Sequence, residues 1–237
     1  MKYSFDTRVG YSEIAENGYM TPGAIVDKFQ DCSNFQSEHL GVGLEYLIKH
    51  KRAWILNSWH IVFERPLKMG DNIRVYTWAH KFDKMFGYRD FMIEDADGNR
   101  CAAAVSRWML MDIEKMRLLK ITDDDAKIYG EDEGLDIDYG KRKLSVPDDM
   151  TEVDVIKIRG YQIDTNGHMN NGWYIKVAAD YIDKKYPVAD IHVEYRKAAM
   201  CGDEVVIKKH TEDKMTNIVM CGRDDVIYSV IEIRQKE

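Results

Sequence analysis

The stretch Asp164-Thr165-Asn166-Gly167-His168-Met169-Asn170-Asn171, DTNGHMNN, has a near copy far upstream: Asn17-Gly18-Tyr19-Met20 precedes Asn166-Gly167-His168-Met169 by 149 residues. Tyrosine in the first copy stands where the second has the ionisable histidine. Asp31 and Asp180 keep the same offset. A second set agrees at 132 residues, with Met69-Gly70-Asp71 on Cys201-Gly202-Asp203, His60 on His192 and Phe63 on Tyr195. Any one such match can arise by chance. Their agreement in chain order points to a duplicated unit whose first copy has the longer helix-to-strand connection.

Working outward, each copy carries the same order of elements. In TPGAIVDKFQDCSNFQSEHLG, residues 21–41, Ile25, Phe29, Cys32 and Gln36 fall near helical spacing, with Pro22 near the start and Gly41 to stop the helix. Runs rich in β-branched and aromatic residues follow at 52–66, 70–80, 87–100 and 101–113, with an Asp97-Gly98 hairpin signal among them. In the second copy the pattern predicts a helix over 170–186, ending at Pro187, and strands at 189–200, 203–212, 215–222 and 224–235. Trp54, Trp59, Trp78 and Trp108 sit in strand-like runs and read as core. Between the copies, DDDAKIYGEDEGLDIDY (123–139) holds eight acids and one lysine. It reads as a solvated linker. The expected organisation is therefore one unit over 1–122, an acidic linker over 123–150 and a second unit over 151–237. The expected fold class is α+β, each unit a long helix wrapped by a curved antiparallel sheet.

Composition narrows the function classes. The chain has 237 residues, 45% hydrophobic and 32% charged, with 34 basic against 41 acidic residues and a net charge of -7. A nucleic-acid binder normally shows a basic excess, so that class is disfavoured. No apolar run approaches a membrane span, and MKYSFDTRVGYSE has no signal-peptide core, so no membrane association is expected. Cys32, Cys101, Cys201 and Cys221 form no CxxC pair. They read as free thiols in a reducing, cytoplasmic setting. His192-Val193-Glu194 lacks a PCxxC partner and reads as strand alternation, while Gly41-Val42-Gly43 lacks the context of a dinucleotide loop.

The order of elements resembles a hot-dog fold repeated in tandem. DTNGHMNN resembles the Asp-x-Asn-x-His-x-Asn-Asn segment of the acyl-acyl carrier protein (acyl-ACP) thioesterases, and VEYRK at 193–197 resembles the strand that follows the helix in that family. The resemblance runs over essentially the whole chain. It implies hydrolysis of fatty acyl-ACP thioesters, with acyl carrier protein as partner and no cofactor or metal; a homodimer stays open as an assembly. The neighbouring alternatives are an acyl-CoA thioesterase, a 3-hydroxyacyl dehydratase (disfavoured by the lack of a His-Phe-Pro segment) and a non-catalytic acyl-binding module.

Taken singly, Asp and Asn before a helix are turn and cap residues. With the resemblance, Asp164, Asn166 and His168 become the expected catalytic group. Histidine is suited to accept a proton from an attacking water near neutral pH. Asn166 and the helix N-terminus can polarise the thioester carbonyl. Asp164 is expected to hold the imidazole in one tautomer, and Asn170 or Asn171 to cap the helix. The first copy has Ala15, Asn17 and Tyr19 at these places, which implies one active site per chain and leaves the first unit to shape an acyl pocket. One departure stands out. The family's Glu-Cys pair falls on Ala198 and Ala199, while Cys201 and Glu194 are displaced by roughly 6.6 and 13 Å along an ideal strand. Direct attack by water, with His168 as base, is the mechanism this favours.

Overall fold

The computed structural model of the protein describes residues 1–141 and 143–237. It divides into two compact units, one formed by Met1–Asn57 with Ile61–Tyr139 and the other by Ser58–His60 with Gly140–Glu237. The first contains β1 (Tyr3–Arg8), α1 (Pro22–His39), α2 (Leu44–Lys49), all of β2 (Arg52–Phe63) except Ser58–His60, β3 (Asn72–Phe82), β4 (Gly87–Asp95), β5 (Arg100–Asp112), β6 (Arg117–Leu118) and α3 (Asp123–Tyr129). The second contains β7 (Thr151–Lys157), α4 (Asn171–Ala178), β8 (Val188–Tyr195), β9 (Glu204–Glu212), β10 (Met215–Cys221) and β11 (Ile227–Gln235).

The strand order is β1-β3-β4-β5-β2 in the first unit, with β6 on β5, and β7-β9-β10-β11-β8 in the second. These are the same order in corresponding elements. The registers agree at the strand ends as well: Arg8 pairs with Asn72 and Lys157 with Glu204, at the two sequence offsets. Side chains opposite one another on such antiparallel ladders alternate between the faces, so one face can be apolar throughout.

In the first unit α1 supplies that face with its cover. Ile25, Phe29, Cys32 and Gln36 are all buried, as their spacing predicts, and the Phe29 and Phe91 rings lie 5.3 Å apart. Thr21 accepts from the Ala24 amide at 3.1 Å and so satisfies one of the unpaired groups at the helix start. Gly98, with φ of +79°, makes the expected β4–β5 turn.

Two expectations change. The acidic segment is not a solvated linker through its length, because residues 123–139 fold onto the first unit. Thr122 and Asp125 cap α3 reciprocally, at 3.2 and 3.0 Å, and Tyr129 at its end is buried. The Glu133 carbonyl accepts from Trp78 Nε1 at 2.9 Å, and the Leu135 amide donates to Asp90 Oδ2 at 2.7 Å. Asp123, Asp124, Glu133, Asp136 and Asp138 stay exposed, whereas Asp125 pairs with Arg52 at 3.0 Å and Glu131 Oε1 accepts from the Phe82 amide at 3.1 Å. The second helix is also shorter than the predicted 170–186. α4 ends at Ala178 and a 3-10 turn follows over Ala179–Tyr181. Gln235 Nε2 donates to the carbonyls of Asp183 and Tyr186, both at 2.7 Å. Those carbonyls are thereby engaged by β11 rather than by a continuing helix.

Candidate active site

The candidate residues lie in the second unit, on the approach to α4. The Asp164 amide donates to the His168 carbonyl at 2.8 Å, and the Gly167 amide to the Asp164 carbonyl at 3.1 Å. Gly167 sits at φ +79°, a conformation that costs glycine little and a residue with a Cβ more. A tight turn results. Isolated antiparallel bridges pair Ile163 with Met169 and His168 with Met200, which fixes the turn against the segment after β8.

Asp164 locks this turn. Its Oδ1 accepts from the amides of Asn166 at 2.8 Å and His168 at 3.2 Å. The imidazole of His168 is the partner expected for that carboxylate. Its hydrogen bonds go to the backbone instead, because an Asp side chain reaches an amide two residues onward by a short local closure. Asn166 is exposed and His168 is partly buried. Among the described residues no acceptor engages the Asn166 side-chain amide.

Asn170 is the helix cap. Its Oδ1 accepts from the Gly172 amide at 2.9 Å, and its carbonyl from the Trp173 amide at 2.9 Å. Asn171 begins α4, and among the described residues its N–H has no acceptor. The expected set of unpaired donors at the helix start therefore narrows to this one amide. It lies at the positive end of the helix, where developing negative charge is favoured.

The strand that carries the family's Glu-Cys positions leaves the ladder early. β8 stops at Tyr195, and the amides of Arg196 and Lys197 both turn to the Tyr228 carbonyl, at 2.8 and 3.3 Å. The strand-face distances expected for Cys201 and Glu194 consequently do not apply. Cys201 is exposed in a turn completed by Gly202 at φ +94°. Glu194 is buried and accepts from the Leu144 amide and from Arg196 Nη2, each at 2.9 Å. Ala199 is fully buried, and its carbonyl accepts from the Met169 amide at 2.8 Å.

Two tyrosines outside the expected catalytic group complete the surroundings. Tyr174 Oη accepts from the Ala199 amide at 3.0 Å, and Tyr195 Oη donates to the Asn171 carbonyl at 2.9 Å. Their rings meet edge to face with centroids 5.4 Å apart. Burial pushes the Tyr174 phenol up to about 12, so it stays protonated across the range in which enzymes work. The alignment of the copies held a signal for both, since the corresponding first-copy residues are Ile25 and Phe63, neither with a hydroxyl.

Two family models match the chain in order: the acyl-ACP thioesterase N-terminal domain over residues 1–129 and the acyl-ACP thioesterase C-terminal domain over residues 146–235. The chain belongs to the acyl-ACP thioesterase family. The N-terminal match runs to the end of α3, in keeping with the placement of that helix in the first unit. Among curated relatives, the chloroplastic palmitoyl-acyl carrier protein thioesterase of Cuphea hookeriana is 27% identical over 176 residues, covering 70% of this chain and 42% of that protein. The chloroplastic oleoyl-acyl carrier protein thioesterase 1 of Arabidopsis thaliana is 23% identical over 211 residues, covering 81% of this chain and 54% of that protein. The chain thus spans about half the length of these relatives. Among solved structures, an acyl-ACP thioesterase from Bacteroides thetaiotaomicron superposes with a TM-score of 0.91 at 18% identity, covering 99% of this chain and 98% of that one. The 12:0-ACP thioesterase from Umbellularia californica gives 0.87 at 17% identity, covering 99% and 97%. At such identities the superpositions establish the fold, the tandem hot-dog arrangement expected from the sequence.

Proposed function

We propose that the protein hydrolyses fatty acyl-ACP thioesters, releasing free fatty acid and the carrier thiol. The observation that carries this reading is the pair of family matches, in order, over a chain whose second unit keeps the Asn-x-His turn at the head of a helix. His168 accepts a proton from the attacking water. The Asn166 amide and the Asn171 N–H stabilise the oxyanion; one well-aimed donor contributes roughly 3–4 kcal/mol to such a step. Asp164 acts on the turn and thereby on the placement of both neighbours. The carrier is acyl carrier protein, with coenzyme A as the nearest competitor. The test is to incubate purified protein with acyl-ACP and acyl-CoA panels and follow thiol release. Faster turnover of acyl-ACP is expected. Turnover confined to acyl-CoA would transfer the assignment to that carrier. Binding of acyl groups without any hydrolysis would favour an acyl-binding module, the reading that Ala198 and Ala199 invite.

A further inference from the structure

We propose that Tyr174 and Tyr195 are positioning residues for the hydrolytic step, a pair of hydroxyls that sets the backbone on either side of His168. The inference rests on the hydrolytic reading above and adds to it the residues that hold the site in register.

The case begins with the backbone. His168 is bridged to Met200, and the adjacent Met169 amide donates to the Ala199 carbonyl at 2.8 Å. Ala199 is therefore the anchor against which the histidine turn is built. Its own amide is buried and requires an acceptor, because an unpaired buried N–H is costly. Tyr174, from the first turn of α4, supplies that acceptor at 3.0 Å. On the opposite side, the peptide unit that follows Asn171 carries a carbonyl fastened by Tyr195 Oη at 2.9 Å. Asn171 is the residue whose N–H is left to face a substrate. One tyrosine thus fixes the support of the base and the other fixes the residue that bears the backbone donor. The edge-to-face contact of the two rings makes them a single packed element.

The first copy shows that the fold does not require this pair. There the corresponding turn bridges Tyr19 to Lys68, and the Met20 amide donates to the Leu67 carbonyl at 2.8 Å, the same frame. The positions of Tyr174 and Ala199 are filled by Ile25 and Leu67, both buried, and that of Tyr195 by Phe63. Leucine gives way to alanine in the segment after the strand, where isoleucine gives way to tyrosine on the helix. The smaller residue 199 stands beside the longer Tyr174 side chain, and a hydroxyl is gained at the amide of residue 199. The copy with the histidine has both hydroxyls, and the copy without it has neither.

The test restores the first-copy residues. Tyr195→Phe removes one hydroxyl, and the paired change Tyr174→Ile with Ala199→Leu replaces the other side by a packing the fold already uses. Relative to wild-type turnover, each is expected to lower kcat per folded molecule about tenfold with KM within about twofold, the split that marks loss of transition-state placement. If kcat per folded molecule stays within about twofold of wild type in both, the pair is structural only and the proposal falls. A readout without substrate separates this from failure of the hydrolytic reading. In Tyr174→Phe, amide exchange at Ala199 is expected to rise about tenfold, with a displaced set of His168 ring resonances in NMR spectra. Should the wild type hydrolyse no thioester, the hydrolytic reading fails by itself; unchanged exchange and unmoved His168 resonances would then overturn the positioning role as well.

Discussion

The turn before α1 and the turn before α4 have one backbone and two chemistries. In each, the first residue donates to the carbonyl of the fifth, at 2.9 Å from Ala15 to Tyr19 and 2.8 Å from Asp164 to His168, and the glycine sits at φ +79°. The side chains that hold the fifth amide differ. In the first copy Asn17 Oδ1 accepts from the Tyr19 amide at 3.1 Å, so the asparagine is committed to the turn. In the second copy Asp164 Oδ1 takes over that task at 3.2 Å and also binds the Asn166 amide. The asparagine side chain is released. By closing the turn itself, the carboxylate leaves the exposed Asn166 side chain out of the turn's hydrogen bonds.

Three substitutions can break that comparison. The largest effect belongs to the base. His168→Ala is expected to lower kcat by about a thousandfold, within the range contributed by a positioned general base, whereas Tyr19→Phe should leave turnover within about twofold of wild type. Steady-state kinetics on one acyl-ACP measures both, and similar losses at the two positions would mean that both copies carry chemistry. Next comes Asn166→Ala, with an expected loss of roughly a hundredfold in kcat, the scale of one lost oxyanion donor. If it only raised KM, the side chain would be a binding contact alone.

Asp164 gives a smaller and more discriminating effect. Asp164→Asn keeps an Oδ1 able to accept both amides, so it should hold kcat within about fivefold, whereas Asp164→Ala restores the first-copy residue and lets Asn166 fold back as Asn17 does. That second loss is expected to be about tenfold, since turn and cap hydrogen bonds contribute on the order of 1 kcal/mol. A dead Asp164→Asn with an intact turn would show that the negative charge itself acts on the imidazole. Turnover and thermal unfolding of the two variants decide between these.

How much of this could be read in advance depends on which interactions are local. The duplicated phrase, the Asp97-Gly98 hairpin and the α1 stripe of Ile25, Phe29, Cys32 and Gln36 follow from residues close in sequence, and all were legible. The turn role of Asp164 is equally local; it was obscured because the resemblance drew the carboxylate toward the imidazole. Contacts between distant backbone groups were not legible. Counting acids predicts a solvated 123–139, but Trp78 and Asp90 recruit its carbonyl and amide groups, which carry no sequence signature. Likewise, nothing in VEYRKAAM marks Tyr195 as the last ladder residue, because the Tyr228 carbonyl that draws the chain away lies on β11.

A pH experiment compares the cores of the two units. Burial raises the Cys32 thiol from 9.0 to about 12 in the first, and the Tyr174 phenol from 10.0 to about 12 in the second. Both groups hold their protons more tightly folded than unfolded. Their contributions are therefore complete below the unfolded values and are lost as pH rises toward the folded ones. The melting temperature should decline between pH 9 and about 12, and Cys32→Ala should flatten the early part of that decline. An identical alkaline profile in the variant would remove the thiol from the account.

The smallest expected effect is at Cys201. The family match invites the thought that its thiol has moved along the strand from position 199 and still attacks the thioester. The structure argues otherwise on three counts. β8 has ended six residues earlier, Cys201 is exposed, and its turn is closed by the Met200 amide donating to Asp203 Oδ2 at 2.8 Å. Its counterpart in the first copy, Met69, is also exposed, at 55%. An outward side chain on a turn used identically by both copies has no part in the frame around His168. Cys201→Ala should accordingly leave kcat and KM within about twofold of wild type, as for most exposed substitutions. The discriminating measurement is mass spectrometry of protein quenched during turnover, with no acyl adduct expected on the thiol. An acyl group on Cys201, or a Cys201→Ala variant as inactive as His168→Ala, would replace direct attack by water with a covalent route and shift the centre of the site from the α4 turn to the turn after β8.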